Sequence, residues 1–486
     1  MRSHCVIVGA GISGLAAAWH LSSRYPQVQV TVVDSSDRVG GKIAADAIGE
    51  LQRIDTGAES VLARRPEAID LIDKVGLGPD MVHPATSTAS IWSRGSLRQM
   101  PPRTLLGIPS DPQTLQGLLT AAEIERVRHE EMSGEGTSAR VAAGAAAPAP
   151  ADENEDISIG DLVAGRLGDA VVDRLVEPLL GGVYAGHARS ISAAAALPVA
   201  FNAYRTGESL IDAAARTMPA LAAGLSPPPV FAGIRGGLHR LPAALAARLR
   251  ERGVAVRLGV TVRSVRRDGS GFALDCGPVP SPETIDADLV VLATPAPPTG
   301  RILERIAPDA ARILAGVEMA SMAIVSLALP SSRLGELPGS GVLVPPVEGL
   351  SVKAATFSSN KWEWVARAGA ERGPAGEERT YVRASIGRHH ETHVLRGADR
   401  DLIQIVLEDL RQMGLALPEP VAWQVKRWGG ALPQYALGHR AKATEIVSSV
   451  RALPGLAVCG ATYEGVGIPA CIASGRAAAE QVAASQ

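Results

Sequence analysis

An apolar strand followed by a glycine turn and a helix stands near the start of the chain, and no other feature restricts the fold as much. Residues 5–14 read CVIVGAGISG, so Gly9, Gly11 and Gly14 have the spacing G-x-G-x-x-G. The first glycine of such a motif permits a tight turn, the second lets the backbone approach a pyrophosphate, and the third lets the helix pack on the strand. The run could also be the core of a signal peptide, but the spaced glycines and a following acid fit strand, turn and helix better.

An acidic residue ends the next predicted strand where a dinucleotide site requires one. Residues 28–33 are mostly apolar, and Asp34 follows them twenty residues after Gly14. A carboxylate there would accept hydrogen bonds from the adenosine ribose hydroxyls and would repel a 2′-phosphate, which disfavours NADP. The sequence therefore predicts a dinucleotide site, and the alternative is a glycine-rich structural turn.

Further glycine-rich segments favour FAD over NAD. Residues 38–42 read RVGGK and residues 55–59 read DTGAE, which would let the chain wrap an extended cofactor. Residues 460–469, GATYEGVGIP, follow a predicted strand and open a predicted helix. The start of that helix could stabilise the negative charge that builds on a flavin during reduction. Each glycine pair taken singly is readily explained as a plain turn, but three in one chain favour FAD.

Charge and composition exclude several classes of protein. The chain has 48 basic and 50 acidic residues, whereas a nucleic-acid-binding surface usually needs a basic excess. No uncharged apolar run reaches ~18 residues, so no transmembrane helix is expected. The four cysteines form no CxxC pair, which disfavours a zinc ribbon and fits a reduced, cytoplasmic protein. At roughly 150 residues per domain, the length predicts about three domains.

Longer stretches resemble one family. They are GAGISGLAAA (9–18), DSSDRVGGKI (34–43), DTGAES (55–60), GDLVAGRLGDAVVDRLVEPLLGGVYAG (160–186), IRGGLHRLPAAL (234–245), LPGSGVLVPP (337–346), RWGGALPQY (427–435) and ATYEGVGIPACIASGRAA (461–478). With these, the chain resembles the protoporphyrinogen/coproporphyrinogen oxidases, FAD-dependent enzymes among the amine-oxidase-like flavoproteins. The first stretch is shared by many flavoproteins, whereas EPLLGGVYAG and the pair ALPQY with EGVGIPACI are far more specific.

The resemblance implies an α/β fold that combines a discontinuous Rossmann-type FAD-binding domain, a mixed-sheet substrate domain and an α-helical domain. The ranges would be 1–85, 230–300 and 440–486 for the FAD-binding domain, 86–110 and 301–439 for the substrate-binding domain, and 111–229 for the helical domain. Residues 131–156 are rich in Ser, Gly, Ala, Pro and acids with no apolar period, which predicts a flexible insertion. Helices are predicted on both sides of it, at 114–129 and 158–180.

Carried over residue by residue, the resemblance implies FAD contacts from several separate segments. They are Gly9, Ala10, Gly11, Ile12, Ser13, Gly14, Asp34, Ser35, Lys42, Gly57, Ala58, Glu59, Ser60, Val262, Trp428, Ala461, Val466, Gly467 and Ile468. Val262 would contact FAD through its backbone, and ordinary strand core is the alternative explanation for it.

The resemblance also implies a substrate cavity lined by the backbone of Gly182 and by Leu343. This chain departs from the family nearby, with Ser340 where an aromatic is frequent and Ala89 where a basic residue is frequent. Arg383 stands where some relatives have an apolar residue. We hypothesise that Arg383 pairs a propionate, because a guanidinium binds a carboxylate bidentately. A surface arginine on a strand is the alternative.

The implied reaction is the six-electron oxidation of a porphyrinogen to a porphyrin in haem biosynthesis, with O₂ as acceptor and H₂O₂ as product. The cofactor supplies the chemistry, in agreement with the lack of a defensible Ser-His-Asp order or carboxylate pair, so no catalytic residue is predicted. Residues 389–393, HHETH, place two histidines at i, i+4 but miss HExxH by one residue. We predict a solvated surface there, and no metal.

Coproporphyrinogen III is the preferred substrate, and protoporphyrinogen IX is the first alternative. A related flavin amine oxidase or carotenoid desaturase and a non-catalytic flavin-binding protein are the others. The expected small-molecule partners are the porphyrinogen and O₂, with no nucleic acid. The family's helical domain also suggests peripheral contact with the inner face of the membrane, and contact with other haem-pathway enzymes is a further option. The sequence leaves the oligomeric state open.

Overall fold

The structure is a computed structural model that describes residues 3–49, 51–86, 88–130, 156–218, 228–371 and 377–485. The predicted insertion at 131–156 lies outside the described residues except for Asp156.

A five-stranded parallel sheet, called here the cofactor sheet, is built around the strand that precedes the glycine turn. Its strands, in spatial order, are Ala255–Leu258, Gln29–Asp34, His4–Val8, Leu289–Leu292 and Leu456–Val458. All four pairings are parallel. The central strands are buried on both faces, which explains why they are continuous apolar runs rather than alternating ones. The predicted α/β class is confirmed.

Helices cover the first face of the cofactor sheet with one apolar core. They are Ile12–Arg24, Pro66–Lys74, Arg240–Glu251 and Ile468–Ala483. The first and last of these pack closely because Gly475 of the last helix has no side chain at their contact. A Cβ at Gly475 would lie 2.2 Å from the carbonyl oxygen of Ser13.

The second face of the cofactor sheet carries a separate core. It is formed with the helices Ala296–Leu303, Pro308–Ala315 and His439–Arg451 and the antiparallel strands Val262–Asp268, Gly271–Cys276 and Glu283–Ala287. The segment 301–315 therefore packs on the cofactor sheet, although the sequence analysis assigned it to the substrate-binding domain. Which sheet receives the apolar face of a helix depends on contacts far apart in the chain, which the local sequence does not report.

A second sheet, mixed and seven-stranded, is called here the large sheet. Its order is Ala422–Pro433, Met319–Pro330, Arg379–Ile386, Val352–Thr356, Gly341–Leu343, Ser90–Ser93 and Ser96–Gln99. All pairings are antiparallel except Ser90–Ser93 with Gly341–Leu343. One face packs on the helix Asp399–Gln412 through an apolar core. The other face carries polar and charged side chains that meet the cofactor-binding loops described below.

The helical part surrounds a third core. Its helices are 121–130, Ile159–Leu167, Asp169–Val171, the π-helical turn Val172–Val176, Glu177–Tyr184, Ala193–Ala196, Pro198–Thr206 and Leu210–Thr217. The helix predicted over 158–180 is broken at Gly168, whose φ of +96° leaves the helical region. Inside this core, the buried carboxylate of Glu130 accepts hydrogen bonds from the backbone N–H groups of Leu210 and Ile211 and pairs with Arg166 at 3.0 Å.

The remaining elements are short. They are the strands Ala45–Ile48, Leu51–Asp55, Val61–Leu62, Met81–Val82, Thr104–Leu105, Ile108–Pro109 and Phe231–Ile234, the helices Ser358–Lys361 and Glu363–Ala370, and the 3₁₀ turns Gly78–Asp80, Pro112–Leu115, Ala188–Ser190, Ser331–Arg333, Pro346–Glu348 and His393–Arg396. Within the described ranges, no helix combines the length and the apolar character needed to cross a bilayer.

A glycine-to-alanine pair tests the close approach of the first and last helices. Gly475→Ala should destabilise the protein by about 1–3 kcal/mol, because the added methyl group meets a backbone carbonyl that cannot move freely. Gly165→Ala is the matched control: this exposed helical glycine has no atom within 4 Å of its added Cβ. It should be neutral or stabilising by up to about 1 kcal/mol. Urea unfolding of both variants measures the difference, and equal free energies of unfolding would contradict the packing argument.

Candidate functional site

The glycine turn leaves an open approach to the start of the first helix. Gly9 has a φ of +113°, and a Cβ there would lie 2.8 Å from the carbonyl oxygen of Ala293. A Cβ at Gly14 would lie 1.9 Å from the carbonyl oxygen of Gly9, whereas one at Gly11 would meet no atom within 4 Å. Two of the glycines are therefore required by packing, and the third leaves space in front of the helix N-terminus. That space is where a pyrophosphate would be bound.

Asp34 lies beside this turn. One of its carboxylate oxygens accepts a hydrogen bond from the backbone N–H of Ala10 at 2.6 Å, and the other accepts one from Ser36 at 2.8 Å. Its neighbour Ser35 is exposed. The carboxylate is thus held at the end of its strand, next to the phosphate position, where ribose hydroxyls would reach it.

The loop around Gly57 is packed directly against the segment that carries Lys42. The backbone N–H of Ala58 donates to the carbonyl of Lys42 at 3.1 Å, and a Cβ at Gly57 would lie 2.0 Å from that same carbonyl oxygen. Burial lowers the pKa of Lys42, and the nearby thiol of Cys471 opposes the shift. The Lys42 ammonium forms no hydrogen bond within the described part of the chain, so it is available to an anionic or polar ligand.

Glu59 joins the cofactor-binding loop to the large sheet. Its carboxylate accepts a hydrogen bond from the Lys361 ammonium at 2.5 Å and one from the Arg383 guanidinium at 3.0 Å. Arg383 also donates to the carbonyl of Gly57. The Glu59 side chain is 14% exposed. Burial alone would raise the pKa of Glu59, but the attraction and hydrogen bonds of the two cations outweigh it and lower this pKa to about 2.

The Glu59 cluster partly changes the interpretation of Arg383. The sequence suggested a propionate partner or a surface position, and the structure places the guanidinium in a mostly buried position on a protein carboxylate. Lys361 was missed by the sequence analysis. It lies 302 residues from Glu59 in the chain, and no local pattern reports such a distant pairing.

Trp428 and Val262 approach the same region from different sheets. The indole N–H of Trp428 donates to the carbonyl of Thr56 at 2.7 Å, one residue before the Gly57 loop. The side chain of Val262 is buried in the second core of the cofactor sheet. The backbone just before it is tied to the Asp34 segment, since Val260 donates to the carbonyl of Asp34.

Tyr435 fixes the C-terminal glycine loop in place. Its hydroxyl donates to the carbonyl of Ala461 at 2.6 Å and accepts from the backbone N–H of Gly465 at 2.8 Å. The ring stacks on His439 with a centroid distance of 4.0 Å, and the His439 ring bonds the carbonyl of Thr462 at 2.8 Å. The sequence analysis used this tyrosine only as part of a family stretch. A single buried tyrosine in a loop has no periodicity that could reveal its partners.

The loop held by Tyr435 leads into the last helix. Gly467 is the N-cap of Ile468–Ala483, and no side chain caps this end. The free backbone N–H groups therefore present a partial positive charge at the end of the loop. Val466, one residue earlier, packs against the apolar core of the helical part.

The predicted substrate residues lie where the helical part meets the large sheet. Leu343 is half-buried and packs on the core of the helical part. The helix Glu177–Tyr184 contacts the strands Gly341–Leu343 and Val352–Thr356. A Cβ at Gly182 of this helix would meet nothing within 4 Å, so the backbone there borders open space.

The histidine segment does not have the geometry suggested by its spacing. His389 is 8% exposed rather than solvated, so the surface prediction is wrong for this residue. Glu318, His389 and His390, not the i, i+4 pair, bring their ligand atoms within 4.8 Å of one another. Two of the three side chains are exposed, and such groups are common without an ion, so we assign no metal to them.

Taken together, the loops that carry most predicted cofactor residues lie at one edge of the cofactor sheet. The turn after His4–Val8, the acid that ends Gln29–Asp34 and the glycine loop after Leu456–Val458 all follow carboxyl ends of parallel strands. Ligands of open α/β sheets bind at this edge, where the strand order reverses. An open glycine turn, a carboxylate, a lysine with no hydrogen bond to any described residue and an uncapped helix form a chemically suitable set for FAD. These groups bind and orient a ligand.

Comparisons with known proteins agree with this geometry. A family model described as flavin-containing amine oxidoreductase matches residues 12–483. The chain is 37% identical to a coproporphyrinogen III oxidase of Mycobacterium leprae (strain TN), over 98% of this chain and 97% of that protein. It is 30% identical to a coproporphyrinogen III oxidase of Bacillus subtilis (strain 168), again over 98% and 97%.

A solved structure extends the similarity to the whole fold. A protein of Exiguobacterium sp. 255-15, provisionally described as a protoporphyrinogen oxidase, has a TM-score of 0.80 and 29% identity, with 100% of both chains covered. Because the family model and these relatives match nearly the whole length, the chain belongs to the family of flavin-containing amine oxidoreductases.

Proposed function

We propose that the protein is an FAD-dependent coproporphyrinogen III oxidase of haem biosynthesis. The reaction converts one coproporphyrinogen III and three O₂ into one coproporphyrin III and three H₂O₂. The observation that carries the proposal is that an edge suited to FAD occurs in a chain that is similar, along 98% of its length, to proteins named coproporphyrinogen III oxidase. FAD bound at this edge would supply the hydride acceptor for three two-electron cycles, with O₂ as the final electron acceptor.

The chain's own residues would bind and orient. In this proposal the turn at Gly9–Gly14 and the ammonium of Lys42 hold phosphates, Asp34 holds the ribose, and the uncapped helix at Gly467 faces the flavin. Trp428 and the Glu59 loop would border the ring system. Three hydrogen bonds support this arrangement. Asp34 is held by the N–H of Ala10, Trp428 by the carbonyl of Thr56, and the C-terminal glycine loop by the bond from Tyr435 to the carbonyl of Ala461.

The substrate would lie between the large sheet and the helix Glu177–Tyr184, against Gly182 and Leu343. The cation cluster at Arg383 supports a polycarboxylate substrate, because Glu59 offers one negative charge to two cations. This local positive excess favours coproporphyrinogen III, which has four propionates, over protoporphyrinogen IX, which has two. The second candidate is supported by a chloroplastic protoporphyrinogen oxidase of rice, 28% identical over 99% of this chain.

A cytoplasmic location, with contact to the inner membrane face or to other haem-pathway enzymes, belongs to this proposal as well. The family resemblance supports the location, and exposed side chains of the helical part such as Val183 and Tyr204 support a peripheral contact.

A parallel assay tests the reaction and the substrate. The purified protein should contain a flavin and should form fluorescent porphyrin and peroxide from coproporphyrinogen III under air, at least about tenfold faster than from protoporphyrinogen IX. Faster turnover of protoporphyrinogen IX would make the second candidate correct. A bound flavin with neither product would identify a binding protein, and absorbance, porphyrin fluorescence and peroxide are read from the same sample.

Asp34→Asn tests the ribose contact. Loss of the charged acceptor should weaken FAD binding by roughly 10- to 100-fold, because hydrogen bonds to charged groups contribute about 1.5–3 kcal/mol each. Isothermal titration of FAD into flavin-depleted protein measures the affinity. Asp37→Asn is the control, since Asp37 is exposed and lies three residues further along the same loop. Equal FAD affinity of the two variants would contradict the assignment.

Arg383→Met tests the propionate hypothesis. The variant should raise the KM for coproporphyrinogen III roughly tenfold with an unchanged flavin content, because Lys361 still holds Glu59 in place. Arg427→Met is the control: this arginine pairs with Asp399 at the edge of the large sheet. An unchanged KM in Arg383→Met would eliminate Arg383 as a substrate contact.

A further inference from the structure

Lys353 occupies a bulge in the strand Val352–Thr356. Val352 pairs with Ile386 and Ala354 pairs with Ser385, so Lys353 is an extra residue with no partner in the ladder. Val352 and Ala355 both lie in the core shared with the helix Asp399–Gln412. In a regular strand, alternation would direct Lys353 into that core together with Ala355. The bulge releases Lys353 from that alternation, and bulges frequently redirect a side chain beside an active site.

The Lys353 ammonium is buried without a carboxylate. Lys353 is 3% exposed, and its ammonium donates one hydrogen bond to the carbonyl of Gly387 at 2.9 Å. An ammonium has three donors. In the part of the chain that is described, no acid lies within ion-pair distance of it. Burial, followed by repulsion from Arg388 and Arg383, lowers the pKa of Lys353 to about 7.

The neighbouring buried cations differ from Lys353 in having acidic partners. Arg388 pairs with Glu391 at 3.5 Å, and Arg383 shares Glu59 with Lys361. A buried charge that lacks a partner is strongly destabilising. Among these buried cations, Lys353 is the one that has no acidic partner among the described residues. A bound anion would supply the missing negative charge.

Two hydroxyl groups on nearby strands of the large sheet also lack partners. Ser326 lies directly across the ladder from Arg383, and Ser385 pairs with Ala354, so all of them share the face that looks away from the apolar core. The hydroxyl oxygens of Ser326 and Ser385 are buried and have no hydrogen-bond partner among the described residues. The Lys353 ammonium and these two hydroxyls are donors of the kind that suit a carboxylate.

We propose that Lys353 is a specificity-determining residue that binds a propionate carboxylate of the tetrapyrrole. The inference rests on the proposed function and adds a second carboxylate position to the one suggested for Arg383. The helix Glu177–Tyr184 contacts the strand of Lys353, and a Cβ added at Gly181 or Gly182 of this helix would meet no atom within 4 Å. A bound carboxylate would pair with the Lys353 ammonium, which has no acidic partner among the described residues. Coproporphyrin has four propionate carboxylates, so one can occupy this position while another contacts Arg383.

The test uses the flavin-containing enzyme and its product, which is fluorescent and is not turned over. Coproporphyrin III titrated into wild type and Lys353→Met should give a Kd that is about 10- to 100-fold higher for the variant. Lys353→Arg should stay within a few-fold of wild type. Coproporphyrin III tetramethyl ester, in the same detergent-containing buffer, should bind wild type and Lys353→Met alike, because it offers no carboxylate.

A melting curve of the ligand-free proteins separates recognition from a structural role. Lys353→Met should melt at the same or a higher temperature than wild type, since a methionine removes an unpaired buried charge and keeps the volume. A lower melting temperature with an unchanged Kd overturns the inference, because it identifies Lys353 as structural. Lys442→Met, at an exposed position, is the control and should change neither quantity.

The two proposals fail in different ways. If wild type binds coproporphyrin III but Lys353→Met binds it equally well, the inference about Lys353 is overturned and the proposed function stands. If wild type binds neither coproporphyrin III nor protoporphyrin IX, the proposed function itself is overturned together with this inference.

Discussion

The ion pair between the Glu59 loop and the large sheet is the contact on which the geometry of the site depends. Each partner belongs to a different part of the molecule: Glu59 follows the second glycine segment, whereas Lys361 and Arg383 belong to the layer of the large sheet. Burial would favour the neutral acid, and only the two nearby cations keep the carboxylate ionised. The Glu59 carboxylate of the cofactor-binding edge therefore stays ionised because of cations from the layer of the large sheet, and these ion pairs link the two parts.

A second junction connects this edge to the helical part. The hydroxyl of Tyr435 bonds both ends of the segment from Ala461 to Gly465, while its ring packs on Tyr184 of the helix that borders the substrate region. Changes in the position of that helix are thus coupled to the glycine loop before the last helix. Both junctions act on loops whose backbone would face the cofactor, so the substrate layer and the cofactor layer are positioned by the same few side chains.

Local sequence predicts the parts of this arrangement that are local in the chain. The glycine turn, the acid at Asp34 and the α/β class could be derived because spacing, alternation and glycine each report on the backbone within a few residues. The Lys361–Glu59 pair and the bulge at Lys353 could not, since one depends on residues far apart and the other on strand register. The helix interrupted at Gly168 shows a similar limit, because apolar periodicity continues across a glycine that the backbone uses as a break.

The distribution of buried charge has a consequence for selectivity. Cations in a water-excluded site interact strongly with an anion that reaches them and are destabilising when none does. Protoporphyrinogen IX has propionates on two adjacent pyrrole rings, whereas coproporphyrinogen III has one on each of its four rings and so presents a carboxylate on every side of the macrocycle. Discrimination then comes less from a better contact with the preferred substrate than from the unpaired cation that the other would leave behind. The unpaired Lys353 ammonium lowers the free energy of unfolding of the ligand-free protein, and such a loss of stability is common at functional sites.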